Sequence, residues 1–231
     1  MKTLMTMAVG LMACGAAVAV PKESTGEHPV SANVGGREDT EWSFASGFGF
    51  VHGTKKPRVL LIGDSITAQY QGEVAQLLRG KGMTVSYWAS SYCLTRPAYF
   101  KLLDFYLGEA KYAVIHFNNG LHSLGTPTEA WADALRKALK LIREKQPEAK
   151  IIWTTSTPLK DAKKTEKVKE LNAAAAKVVA EFKDIATDDL FATMDPLDRE
   201  EHWADPYHFK APAKKIQARE VAEICRSAVG S

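Results

Sequence analysis

Short apolar runs, each followed by a stretch with helical periodicity, recur along this chain and narrow the folds open to it. Val59-Leu60-Leu61-Ile62 is the first run, and Ile66 to Leu78 then repeats at helical spacing and stops at Gly80. Further strands are expected at Met83 to Trp88, Ala113 to Phe117, Ile151 to Thr154 and Ile185 to Leu190. Helices are expected at Ala98 to Leu107, Thr128 to Lys145, Thr165 to Phe182 and Pro212 to Ala228, with Thr128 as a cap and Pro147 blocking continuation of the helix before it. Strands that do not alternate in polarity must be covered on both faces, so the pattern predicts an α/β fold with about five parallel strands between helical layers. Such sheets bind ligands at the carboxyl ends of their strands, so the residues just after the first, third and fourth strands and the loop after the fifth are the ones to read for chemistry.

The N-terminal 56 residues lie outside this pattern. Met1 to Ala19 carry one charge, Lys2, ahead of an apolar run too short to span a bilayer, which reads as a secretory signal. Ala17-Val18-Ala19 is a small-x-small cleavage site, while Leu11-Met12-Ala13-Cys14 is an alternative lipobox that would leave Cys14 lipid-anchored. Either route places the protein outside the cytoplasm, secreted or in a bacterial cell envelope. Residues 20–56 are rich in Gly, Ser and Thr and read as a linker or N-terminal extension. Trp42, Phe44, Phe48 and Phe50 argue that its second half lies against the domain at 57–231. Once the signal is removed after Ala19, Cys93 and Cys225 remain and could pair in an oxidising compartment.

Gly63-Asp64-Ser65-Ile66-Thr67 follows the first strand. A serine at a strand-to-helix turn exposes its hydroxyl over the sheet edge, beside the N–H groups and positive dipole of the helix N-terminus. Both suit a nucleophile whose attack creates an oxyanion; the alternative is that Ser65 only caps the helix. A serine nucleophile needs a base. Of the six histidines, His208 has an aspartate three residues before it, in Asp205-Pro206-Tyr207-His208, a spacing that lets a carboxylate orient the imidazole. His116 falls inside the third strand and reads as a core or edge residue, whereas His122 follows that strand and can reach the site.

The two blocks, Gly63 to Thr67 near the start of the domain and Asp205 to His208 near its end, resemble the first and last blocks of the GDSL/SGNH hydrolase superfamily. The resemblance implies a flavodoxin-like α/β/α sandwich with Ser65 as nucleophile, His208 as base and Asp205 as its orienting acid. It also implies an oxyanion hole, and here the chain departs from the family pattern. Ser90 to Arg96 contains no glycine, so Cys93 takes the place of the second-block backbone donor. Asn118-Asn119-Gly120-Leu121-His122 puts His122 where the third-block asparagine belongs, with Asn118 as the rival donor.

The implied activity is carboxylic ester hydrolysis, most simply as a carbohydrate O-deacetylase. A lysophospholipase or thioesterase on the same triad and a noncatalytic carbohydrate-binding protein are the alternatives. Asp64, Arg96, Trp203 and Tyr207 are candidate substrate contacts, Trp203 and Tyr207 with Tyr92 as sugar-stacking rings; each could instead serve packing or solvation. The expected partner is a small-molecule or polysaccharide ester. No metal or cofactor is expected, since His202, His208, Asp198 and Asp205 make a poor ligand set within one polar loop. The 30 Lys+Arg and 27 Asp+Glu are interspersed without a basic block, which argues against a nucleic-acid partner.

Overall fold

The computed structural model describes residues 40–48 and 55–230. The segment read as an export signal, Cys14 and most of the expected linker lie outside these residues. Fourteen elements follow in chain order: β1 Ser43–Ser46, β2 Arg58–Gly63, α1 Ser65–Arg79, β3 Thr84–Ser90, α2 Pro97–Gly108, β4 Val114–Phe117, a 3-10 turn Leu121–Ser123, α3 Thr128–Lys145, β5 Lys150–Thr154, α4 Ala162–Val179, β6 Ile185–Asp188, α5 Leu190–Met194, α6 Arg199–His202 and α7 Ala211–Val229.

The sheet order is β1-β3-β2-β4-β5-β6. β3, β2, β4, β5 and β6 are parallel, as the run-and-helix pattern predicts, and β1 adds an antiparallel edge strand beside β3. β2 is fully buried and shows why its sequence is apolar throughout. Leu60 and Ile62 enter the core shared with α2, α3 and α4, while Val59 and Leu61 enter the opposite core under α1 and α7. Each such side chain contributes about 1.5–3 kcal/mol on burial. Helical spacing does the same for the covering layers: Ile66, Tyr70, Val74 and Leu78 form the inner stripe of α1, and Trp131, Leu135, Ala138 and Ile142 that of α3.

Part of the segment read as a linker or extension lies against the domain, as its aromatic residues predict: Ser43–Ser46 form β1, paired with β3, although Ser-Phe-Ala-Ser lacks the apolar run that marks the central strands. Two expectations are corrected. Thr128 does not cap α3: Pro127 occupies the cap position, and the Thr128 hydroxyl reaches across to Glu170 and Lys167 on α4. Cys93 and Cys225 are separate, buried free thiols; burial and the charge of Asp188 push the Cys225 thiol up, which keeps it protonated.

Candidate active site

The strand order turns on β2, which has β3 on one side and β4 on the other, so the loop leaving β2 stands at the topological switch point. That loop is a tight one. A Cβ on Gly63 would sit 2.0 Å from the Thr67 hydroxyl, so the turn into α1 closes only with glycine there. Asp64 caps the helix, accepting from the Ile66 N–H at 2.9 Å. Ser65 is therefore the first helical residue, its side chain at the positive end of a 15-residue helix.

The last loop supplies the facing groups. Asp205 Oδ1 accepts from the N–H groups of Tyr207 (2.9 Å) and His208 (2.8 Å), winding Asp205 to His208 into a turn that brings the His208 ring back over its own aspartate. His208 Nδ1–H donates to Asp205 Oδ2 at 2.8 Å, and Nε2 lies 2.8 Å from Ser65 Oγ. With the proton held on Nδ1 by the carboxylate, Nε2 is the acceptor for the serine hydroxyl. Burial alone would raise the Asp205 carboxyl; the two backbone N–H donors and the His208 ring outweigh it and hold the group below its ordinary value. Three side chains from opposite ends of the domain thus form one continuous hydroxyl–imidazole–carboxylate chain. It opens on a cavity of about 220 Å³ lined by Ser65, Leu121, His122, Tyr207 and His208.

The other sequence candidates divide. His122, on the 3-10 turn after β4, lines the cavity beside Ser65. Gly120 allows this turn, since a Cβ there would meet the Ser156 hydroxyl at 1.7 Å. Tyr207 is 43% exposed and faces the same cavity. Asn118 departs from expectation: its amide donates to the Thr154 carbonyl (2.7 Å) and the Ser156 hydroxyl (3.3 Å), so the side chain is engaged at the end of β5. The Cys93 side chain is buried among the Thr95, Ser123 and Thr126 hydroxyls, which confines any part it takes at an oxyanion to its backbone.

Three proposed substrate contacts are corrected. Asp64 is 2% exposed and acts as the α1 cap. Arg96 pairs with Glu41 and lies over the Tyr92 ring, tying the N-terminal segment to the loop after β3. Trp203 is buried against Phe209, with its indole N–H on the Pro158 carbonyl and the Arg199 guanidinium over its ring. Sequence reasoning missed Trp42 as a neighbour of the site: its ring meets that of His122 edge-on, 5.8 Å between centroids. The aromatic cluster from Trp42 to Phe50 was its only signal.

No protein-family model and no curated protein matches the chain. Solved structures do. A carbohydrate esterase family 3 structure from Talaromyces cellulolyticus aligns with a TM-score of 0.62 at 13% identity, covering 75% of this chain and 98% of that one. An acetylxylan esterase from Geobacillus stearothermophilus aligns at 0.60 and 16%, covering 76% and 94%. A member of the lipolytic G-D-S-L family from Veillonella parvula aligns at 0.60 and 16%, covering 72% and 97%. The chain has the GDSL/SGNH-hydrolase fold. In this fold the described chain keeps a parallel sheet of five strands with helices on both faces, and adds β1 at the β3 edge. Among the described residues no group of histidine, cysteine and carboxylate side chains could hold a metal ion, and no helix is long and apolar enough to cross a membrane.

Proposed function

We propose that this protein hydrolyses carboxylic esters through an acyl-enzyme on Ser65. The observation that carries the reading is the unbroken chain from Ser65 Oγ through His208 to Asp205, two contacts of 2.8 Å at the mouth of a cavity. Ser65 Oγ attacks the acyl carbon as its proton passes to His208 Nε2, and Asp205 stabilises the imidazolium that results. The carbonyl oxygen becomes an oxyanion. Its donors are the Ser65 N–H at the start of α1, the His122 ring and the backbone of the Cys93 loop, with Asn118 left out because its amide is engaged elsewhere. The imidazolium then gives its proton to the leaving alcohol. Water, deprotonated by His208, attacks the acyl-enzyme, the carboxylic acid leaves, and Ser65 regains its proton.

The substrate class is an O-acetylated carbohydrate acted on outside the cytoplasm. A cavity of about 220 Å³ beside Ser65 suits a short acyl group, and the acetylxylan esterase and carbohydrate esterase named above share the fold. The export signal read from Met1 to Ala19 supports the location. An acyl-ester series from acetyl to octanoyl and longer, run with wild type and Ser65→Ala, tests the reading. Hydrolysis of acetyl esters that disappears in Ser65→Ala is expected. Activity surviving the substitution overturns the nucleophile, and a preference for long chains overturns the deacetylase assignment in favour of a lipid or thioester substrate.

A further inference from the structure

Beside the cavity stands an aromatic pair that neither core uses. Phe44 on β1 is 58% exposed, and its ring stacks on that of Trp42 at 5.3 Å and 23°. Trp42 is itself partly exposed and meets His122 edge-on, and His122 lines the cavity with Ser65. An aromatic path therefore runs from solvent through Phe44 and Trp42 to the cavity wall. Isolated apolar side chains on a surface need no explanation, but a stacked pair joined to a reactive site is a different matter.

Sheet register fixes where this pair lies. Phe44 is paired with Ala89, and Ala89 with Gly63, two residues before Ser65. Strands are spaced by about 4.8 Å, so Phe44 sits about 10 Å across the sheet from the strand that delivers the serine. Cross-strand partners share a face, and by alternation Phe44 shares its face with Tyr87, which packs on the core under α1. The pair thus flanks the N-terminal end of α1 on the side where Ser65 begins that helix.

The backbone that carries the pair is also held in place before any ligand arrives. The backbone N–H of Trp42 donates to the Ser91 hydroxyl at 2.9 Å, and the backbone N–H of Ser91 returns to the Trp42 carbonyl at 3.0 Å. The Trp88 indole N–H donates to the Ser43 hydroxyl at 2.9 Å, and Glu41 pairs with Arg96. A preordered surface loses little conformational entropy on binding. Its shape selects the ligand. With one face of its ring covered by Trp42, Phe44 offers its other face to water and can cover only one side of a ligand, which leaves a long alkyl chain half hydrated. A pyranose has C–H bonds on its faces, which suit the negative face of an aromatic ring, and hydroxyls at its rim, which can stay in water.

We propose that Trp42 and Phe44 form a sugar-stacking subsite that receives the ring next to the acylated one in a carbohydrate ester. The proposal rests on Ser65 as the reacting group and adds the place where the leaving alcohol's neighbouring sugar binds. Its test is the ratio of kcat/KM on acetylated xylo-, manno- and chito-oligosaccharides to kcat/KM on 4-nitrophenyl acetate. Phe44→Ala should lower that ratio about tenfold, through KM, and Phe44→Trp should restore it. Phe105→Ala, which removes a similarly exposed ring (56%) on α2, should leave it unchanged. An unchanged ratio in Phe44→Ala on every oligosaccharide that wild type deacetylates overturns the subsite. So does a preference for long acyl chains that Phe44→Ala abolishes. If wild type cleaves no ester, the hydrolase reading fails by itself and calorimetric binding of the unacetylated oligosaccharides decides the subsite: binding weakened by Phe44→Ala supports it, whereas no binding, or equal binding by both proteins, overturns it.

Discussion

Two clusters in this molecule contain the same three functional groups in contact, and they are built for different ends. Ser65, His208 and Asp205 meet at the carboxyl edge of the sheet; Thr154, His116 and Asp188 meet inside it, on the adjacent strands β4, β5 and β6. The outer imidazole uses a different nitrogen for each partner, Nε2 for the hydroxyl and Nδ1 for the carboxylate. The inner one presents Nε2 to both, with Asp188 Oδ2 at 2.7 Å and Thr154 Oγ1 at 2.6 Å; the same hydroxyl oxygen lies 3.4 Å from Nδ1. A ring that holds the carboxylate on the nitrogen facing the hydroxyl cannot take that hydroxyl's proton there while the carboxylate steadies the opposite side. Access differs as well, since the His116 and Asp188 side chains are both 0% exposed, against 29% and 46% for His208 and Asp205. Residue types alone therefore do not mark a reactive site; which ring nitrogen meets which partner, and whether a substrate can enter, separates a proton relay from a structural tie.

Substitutions in the two clusters test this contrast, and the outer serine should respond most. Ser65→Ala should lower kcat on a cleavable ester by about 10⁴-fold or more with little change in Tm, measured by steady-state kinetics and thermal unfolding. At the inner cluster Asp188→Ala should cost about 3 kcal/mol of stability, because the buried His116 imidazole loses its carboxylate partner. Urea denaturation measures this, and a loss under 1 kcal/mol would show that the cluster is not a structural tie. Thr154→Val should cost about 1–3 kcal/mol in the same experiment and change kcat less than tenfold, the reverse of the Ser65 outcome. The smallest effect concerns pH. Asp205 has a folded value below its ordinary 3.8, so its ionised form stabilises the fold above that value, and the contribution is lost as pH falls through the lower folded value. The stability difference between wild type and Asp205→Asn should therefore be about 1 kcal/mol or less at pH 7, given a half-exposed side chain, and should shrink below about pH 4. A difference that grows on acidification would contradict the sign.

What the sequence makes legible is what depends on neighbours along the chain. β2, β4 and β5 come from local apolar runs, and α3 spans Thr128 to Lys145 as its periodicity and Pro147 predict. The Asp205 to His208 spacing is readable because both groups lie in one turn. Contacts made across the fold are not readable in this way. His116 and Asp188 are 72 residues apart, and Trp42 and Ser91 are 49 apart, so neither the inner cluster nor the anchoring of β1 has a local signature. Asp64, Arg96 and Trp203 fall in a third category, with chemistry that suits a ligand and surroundings that use it internally. Only the partners resolve them: an N–H of α1 for Asp64, Glu41 for Arg96, and Phe209 with Arg199 for Trp203.

The turn from Asp205 to His208 closes on itself through the Ala204 N–H and the His208 carbonyl at 2.8 Å, while Trp203 and Phe209 on either side of it are bridged and sunk in the core. Imidazole and carboxylate are thereby fixed to each other by four consecutive residues and do not depend on the sheet for their mutual geometry. For the triad itself, one distance, from His208 to Ser65, is left to the rest of the protein. Sequence drift in the strands and helices then disturbs the proton relay through a single geometric variable, separate from the placing of the oxyanion donors by α1, the 3-10 turn and the Cys93 loop.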